Sequence, residues 1–327
     1  MTQTSDQLTR AMTDARPLIV PARKRWSLGR HAYLLMLAPA LVMYILFIIY
    51  PFFNSIRMSF YDWSGIGPMD DYVGLGNYRL ILTKAPFDAQ FRNAFKHNLQ
   101  VFGWNTLLWL IGGFCLALLL SRNFPGSEVY KTLYFMPHAL SVVIVGFLWN
   151  LMLNPQFGLL NQFLRAINLG QWAKPWLGDP ALALPTIIAV GAWASMGFPI
   201  LVFLAAIIDI PADLIDAARV DGANELRVIR DVTVPLLMPV MLTLIALNFI
   251  WSFEAFELIF AMEGASAGPF YATDVLGTFF YRVAFGGMGS TYTGMGLGAA
   301  ITTIMLVIVL PVSVLVILVQ RRVSVEY

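Results

Sequence analysis

The chain has little of what catalytic or redox chemistry needs. One cysteine occurs in 327 residues, so no internal disulfide and no cysteine-built metal cage can form. Cys115 lies in an apolar run and reads as a small packing residue. The three histidines, His31, His97 and His138, sit in distant segments, none in a His-Glu-x-x-His or comparable ligand spacing. No metal site is expected. A Gly-x-x-x-x-Gly-Lys-Ser/Thr loop is missing, and with it a phosphate cradle for ATP; so is the Gly-x-Ser-x-Gly elbow of hydrolases. No catalytic residue and no cofactor is assigned to the chain, and any ATP must be hydrolysed by a partner. Charge is scarce too: 12% of residues are charged and the net charge is +2, against 58% hydrophobic residues. That balance excludes an electrostatic footprint for nucleic acid and a soluble globular composition. It points to an integral membrane protein with lipid around it.

What is present is a set of long apolar runs, at about 32–53, 99–121, 129–153, 182–208, 236–260 and 295–319. Each approaches the ~20 residues that cross a ~30 Å hydrocarbon core as a helix. An all-α architecture of six spans follows, forming one membrane domain over residues 31–320 with both termini on one side. The run at 32–53 is too long for a signal-peptide core and is retained as the first span. Residues 1–30 form a basic, aperiodic tail, 321–327 a short C-terminal tail, and 54–97 an external loop with glycine-marked turns. Basic residues near the spans set the orientation. The N-terminal arginines, Arg122, Lys131, Arg219, Arg227, Arg230, Arg321 and Arg322 share one side, which is therefore cytoplasmic; Arg57, Arg79, Lys84, Arg92, Lys96, Arg165, Lys174 and Arg282 are spread over longer loops on the other. No fixed-period repeat or low-complexity tract is seen.

Between the fourth and fifth runs lies a polar interruption, Ile210 to Pro239. Pro211 suits a first helical turn, and Leu214, Ile215, Ala217 and Ala218 give an apolar helical face. Asp221-Gly222 breaks that helix, Asn224 is a plausible N-cap for a second, and Pro235 argues against its continuation. A cytoplasmic hairpin of two short helices is expected over 210–235.

Polar residues inside spans are costly in lipid and face a bundle interior or a cavity. Asn248, Trp251, Ser252 and Ala255 share one face of the fifth run, where an indole can stack on a sugar ring and the amide and hydroxyl can bond its hydroxyl groups. The same residues also suit interhelical hydrogen bonding, and both readings stand. Trp193 and Ser195 in the fourth run, near Gly191 and Gly197, are secondary pocket candidates; Ser141 and Asn150 in the third are weaker ones, and Pro137 is a candidate kink. Glu254 and Glu257 suit either simple solvation or the ion site of a secondary transporter.

With these pieces placed, Ile210-Pro211, Asp216-Ala217-Ala218, Asp221-Gly222-Ala223 and Val234-Pro235-Leu236-Leu237-x-Pro239 resemble the cytoplasmic EAA motif of inner-membrane permease subunits of binding-protein-dependent ABC importers. The likeness is to the sugar and glycerol-phosphate type, akin to the larger permease of the maltose system. It extends over Phe52-x6-Ser59-Phe60, Val73 to Tyr78, Met136-Pro137 through Trp149, Gly158-x2-Asn161 and Tyr281-x3-Phe285. The resemblance implies a type I importer permease in a bacterial inner membrane. It also implies a second permease subunit, two cytoplasmic ATPase subunits that bind ATP and Mg, and an external solute-binding protein. The hairpin would then be the coupling element, with Asp213, Leu214, Asp216, Ala217, Ala218, Asp221, Gly222 and Ala223 meeting the ATPase. Two departures stand out: Asp216 occupies a position where the family usually has Glu, and Met262 to Pro269 replaces the usual Thr-x-Gly-Gly-Pro.

Overall fold

The computed structural model describes residues 32–122, 124–286 and 293–323, so the expected tail over 1–30 lies outside the described residues. The chain divides into two units, Met1–Phe53 and Asn54–Tyr327. In the first unit no described residue from Met36 onward is buried. Helix α1, Met36–Met58, is apolar and long enough to cross a membrane, with a widened turn at Ile45–Ile49.

The second unit is built from helices α2 (Gly76–Thr83), α3 (Phe87–Leu120), α4 (Ser127–Ala139), α5 (Val142–Met152), α6 (Leu159–Ala166), α7 (Ala183–Ser195), α8 (Gly197–Ile208), α9 (Ala212–Val220), α10 (Glu225–Phe253), α11 (Glu257–Glu263), α12 (Leu276–Phe285) and α13 (Met295–Val323). Four helices, α1, α3, α10 and α13, are long and apolar enough to cross a membrane, and the number reaches six if the bent pairs α4–α5 and α7–α8 each count as one span. Among the described residues the only extended pairing is an isolated bridge between Tyr61 and Tyr72.

Several helices depart from the apolar runs, each for a local reason. The run at 129–153 is not one rod: α4 and α5 meet at 97°. Pro137 opens a tight 3-10 turn, after which Leu140 (φ −81°, ψ 145°) and Ser141 (φ −60°, ψ 135°) are extended, so the helix must restart. The run at 182–208 is bent by 44° between Ser195 and Gly197. Gly197 is required there because a Cβ would lie 2.8 Å from the Phe135 Cα and the Tyr134 carbonyl, so α8 packs directly on the backbone of α4.

The second run begins earlier than its apolar part. Helix α3 starts at Phe87, and α2 precedes it, so much of the expected loop 54–97 is helical. At the other end of the molecule, Pro235 does not stop α10. The turn at Ile229–Thr233 is widened so that the Val234 N–H reaches back five residues to the Ile229 carbonyl. This local rewinding accommodates a residue with no N–H to give. The second hairpin helix is thus the N-terminal continuation of the fifth run, not a separate element. That run also ends sooner than 260: α10 stops at Phe253, and Phe256 (φ −144°, ψ −53°) is non-helical. The carbonyl of Ser252, freed at this end, accepts a 2.6 Å hydrogen bond from Asn98 Nδ2, so the break leaves it satisfied. The final helix persists to Val323, into the stretch expected as a tail.

Four apolar clusters hold the second unit among the described residues, a small one of Val101, Leu184 and Ile188 between α3 and α7 and three larger ones. One joins α2, α3, α10, α12 and α13 around Phe253, Phe279 and Ile301; a second joins α3, α8 and α10 around Phe203, Leu237 and Leu244; the third joins α5, α7 and α11 around Val145, Ile187 and Ile259. A cavity remains among α3, α7, α10 and α11.

Candidate functional site: a helix-lined cavity and a surface hairpin

The cavity has a volume of about 480 Å³, within the range of small-molecule sites. Helix α3 brings Asn105 and Trp109, α7 brings Ser195, α10 brings Trp251, and the α10–α11 break brings Glu254 and Glu257. Trp109 donates from Nε1 to Ser195 Oγ at 3.1 Å, which fixes its indole plane. Trp251 then meets Trp109 edge-on at 5.6 Å and Phe198 at 5.4 Å between ring centroids. This aromatic wall is rigid because each ring is held by another.

The face proposed from helical spacing divides in two. Trp251 is 42% exposed, whereas Asn248 and Ser252 are each 2% exposed. Asn248 Nδ2 donates to the Phe102 carbonyl at 3.1 Å and to Thr106 Oγ1 at 2.7 Å, and its Oδ1 accepts from Ser252 Oγ at 3.4 Å. Although both border the cavity, Asn248 fastens α10 to α3 and the Ser252 hydroxyl is given to Asn248 on its own helix. Ala255 falls beyond the end of α10 and so is not on its face.

The other candidates separate. Ser195 joins the cavity wall. Trp193 points elsewhere and packs edge-on against Trp149 at 5.5 Å between centroids. Ser141 is exposed at the α4–α5 break with no side-chain cap bond, and only its neighbour Val142 reaches the cavity. Asn150 donates to the Met262 carbonyl at 2.6 Å and borders a different space of about 260 Å³. The break that bends the third run is what parts these residues from Trp251.

Asn105 was missed by sequence reasoning. Its Oδ1 is buried and has no hydrogen-bond partner, which is the condition of an acceptor awaiting a ligand or water donor. A usable signal existed, since Val101, Asn105 and Trp109 recur at four-residue intervals along one helical face.

On the hairpin, α9 ends in a Schellman turn. The Ala223 N–H reaches the Ala218 carbonyl and the Gly222 N–H the Arg219 carbonyl, both at 3.0 Å, with Gly222 at φ +84°. Nothing lies within 4 Å of where its Cβ would be, so glycine is required by conformation and not by crowding. Asn224 then caps α10, its Oδ1 accepting from the Arg227 N–H at 2.9 Å. Arg219 ties the two helices, 3.0 Å from Glu225 and 3.4 Å from Asp216, and Arg122 lies 3.6 Å from Glu225. The hydrogen bond that it donates to Glu225 holds the Arg219 guanidinium above its usual pKa. Asp216 therefore has an internal partner, yet its side chain stays 68% exposed. Asp213, Leu214, Ala217, Asp221 and Gly222 are exposed as well, while Ala218 and Ala223 are half-buried. Val220 and Leu226, 87% and 74% exposed, add apolar surface at the tip.

A third group was not foreseen. Asp274 and Arg282, 0% and 2% exposed, form a two-pronged ion pair at 2.6 and 3.1 Å. Thr278 Oγ1 donates to Asp274 at 2.7 Å, and His97 Nδ1 lies 2.7 Å from the Asp274 carbonyl. The network binds α12, α3 and the loop after α11. Nearby, Glu263 has a buried, unpartnered Oε1 beside the 260 Å³ space, and burial pushes its pKa up to about 7.

Helices broken at a shared cavity, with an exposed helical turn on one side, define the architecture of a solute-conducting membrane subunit. Residues 110–325 match the family described as the binding-protein-dependent transport system inner membrane component. A probable ABC transporter permease of Bacillus subtilis, YurN, is 32% identical over 283 residues, covering 86% of this chain and 93% of that one. The diacetylchitobiose uptake system permease NgcF of Streptomyces coelicolor is 30% identical over 294 residues, covering 87% and 82%. A solved structure of a bacterial ABC transporter involved in import of the acidic polysaccharide alginate superposes with a TM-score of 0.76 at 26% identity, covering 91% and 98%. The chain belongs to the ABC importer permease family, as an inner-membrane transport component and not itself an enzyme.

Proposed function

We propose that this permease forms, with a second permease subunit, the alternating-access pathway for a carbohydrate delivered by an external solute-binding protein. Both termini and the hairpin face the cytoplasm, α4–α5 and α7–α8 each act as one broken span, and six spans result. Two ATPase subunits bind ATP and Mg and dock on the hairpin. The observation that carries the solute assignment is the cavity wall: Trp251, backed by the buried Trp109, offers a ring face beside the unpartnered Asn105 carbonyl, a pairing of apolar plane and hydrogen-bond acceptor that suits a sugar. The carbohydrate named for NgcF and the alginate transporter supports it. Glycerol phosphate fits less well, since no Lys or Arg is among the described residues lining the cavity.

The coupling role rests on exposed apolar side chains at Leu214 and Val220 on the short helix α9 and at Leu226 in the first turn of α10, which their own chain leaves uncovered. Such a helix suits a groove on a partner, with Asp216 free to exchange Arg219 for a partner's cation. ATP-driven approach of the ATPases would carry the hairpins with it and switch the cavity between its two openings, a rigid-body change that ligand binding biases. The test is solute-stimulated ATPase activity of the complete importer carrying Trp251→Ala. Loss of solute stimulation with the complex assembled supports the pathway; unchanged solute dependence removes it.

A further inference from the structure

Charge inside the cavity narrows the solute class, an inference that rests on the carbohydrate reading above. The only charged residues among those lining the cavity are Glu254 and Glu257. Both are exposed, and neither has a cation within ion-pair distance among the described residues. The cation on the neighbouring helix α12, Arg282, is locked to Asp274 and 2% exposed. A cavity of about 480 Å³ is roughly 10 Å across, about one Debye length in 0.1 M salt. A solute within it therefore lies inside the range over which both carboxylates still act on it, more strongly at low salt. Position on the chain explains why they are there: the helix ends at Phe253, so Glu254 and Glu257 flank a break instead of stacking on one helical face.

We infer that the pathway takes an uncharged or amine-bearing saccharide and repels acidic ones, with Glu254 and Glu257 accepting hydrogen bonds from the solute's hydroxyl or ammonium groups. The unpartnered Asn105 Oδ1 acts in the same sense, because it too is an acceptor needing a donor. The indole Nε1 of Trp109, a donor that could have met an anion, is already given to Ser195. This sets the chain apart from the alginate importer to which it is structurally similar, whose named cargo is an acidic polysaccharide.

The test is calorimetric titration of the complete permease–ATPase complex in lipid nanodiscs with cellobiose, the chitosan dimer and cellobiouronic acid, three probes of one size and different charge. The expected order is chitosan dimer tightest and uronate weakest, with the uronate at least about tenfold weaker than cellobiose and the gap shrinking as salt rises. In Glu254→Gln/Glu257→Gln the gap falls below about threefold, and Glu257→Lys inverts it. A uronate that binds as well as cellobiose, or a gap unchanged in the double variant, overturns the charge assignment while leaving the carbohydrate reading in place. Failure of all three probes to bind overturns the carbohydrate reading and the inference with it.

Discussion

The hairpin and the anchor at Asp274–Arg282 are each tied by an arginine and carboxylates, yet the two ties do different work. Arg219 and Glu225 keep 51% and 61% of their side-chain surface exposed at 3.0 Å, so water and salt compete with the pair and it adds little to stability. Arg282 and Asp274 are sealed from water, Asp274 accepting a further bond from Thr278 and Arg282 donating one to the Ala265 carbonyl. A buried pair is no sure gain when made, but removing one partner strands the other charge. The anchor is a buried tie within the fold, whereas the hairpin tie stays open to water.

The strongest break of that contrast is Arg282→Met, which strands Asp274. It should cost on the order of 3–5 kcal/mol, read as a large drop in thermal unfolding temperature of the purified permease. Arg219→Met should leave that temperature nearly unchanged; equal losses in the two variants would erase the distinction. Next in size is Asn224→Ala, which removes the cap and should cost about 1 kcal/mol in the same assay.

The smallest expected effect comes from Glu263. Its folded pKa of about 7 lies above the ordinary 4.5, so the folded state holds the proton more tightly than the unfolded state. The stabilisation is complete below about 4.5 and is lost as pH rises through about 7. Unfolding temperature should therefore decline modestly between pH 5 and pH 8, and Glu263→Gln should flatten that slope. A slope unchanged in the variant assigns the pH dependence elsewhere.

How much of this was legible in the sequence follows the same division. Helical spacing located the apolar runs and the hairpin, because amphipathic patterns and the glycine at 222 are local signals. The ends of the helices were not legible. Pro235 is a helix breaker by local rules, and only the widened turn at Ile229–Thr233 shows how it is tolerated. The early stop at Phe253 depends on Asn98, a residue far away in the chain, meeting the Ser252 carbonyl. For the same reason the hydrogen bonds of Asn248 to α3 were not legible, and Asn105 was overlooked because an unpaired oxygen is visible only in three dimensions. Arg282 was counted as one more external basic residue, since nothing local marks it as buried.

The central claim is that this chain converts ATP hydrolysis by a partner into solute movement through its hairpin. The direct measurement is solute uptake and ATP hydrolysis by the complete importer in proteoliposomes, with wild-type chain and with Gly222→Asp. Aspartate tolerates the left-handed conformation at φ +84° better than most residues, so the helix turn should survive while bulk and charge are added at the exposed tip. The account predicts uptake reduced at least about tenfold, the penalty of a mis-seated coupling contact of more than ~1.4 kcal/mol, with insertion of the permease intact. Normal uptake alongside wild-type ATPase assembly would contradict it.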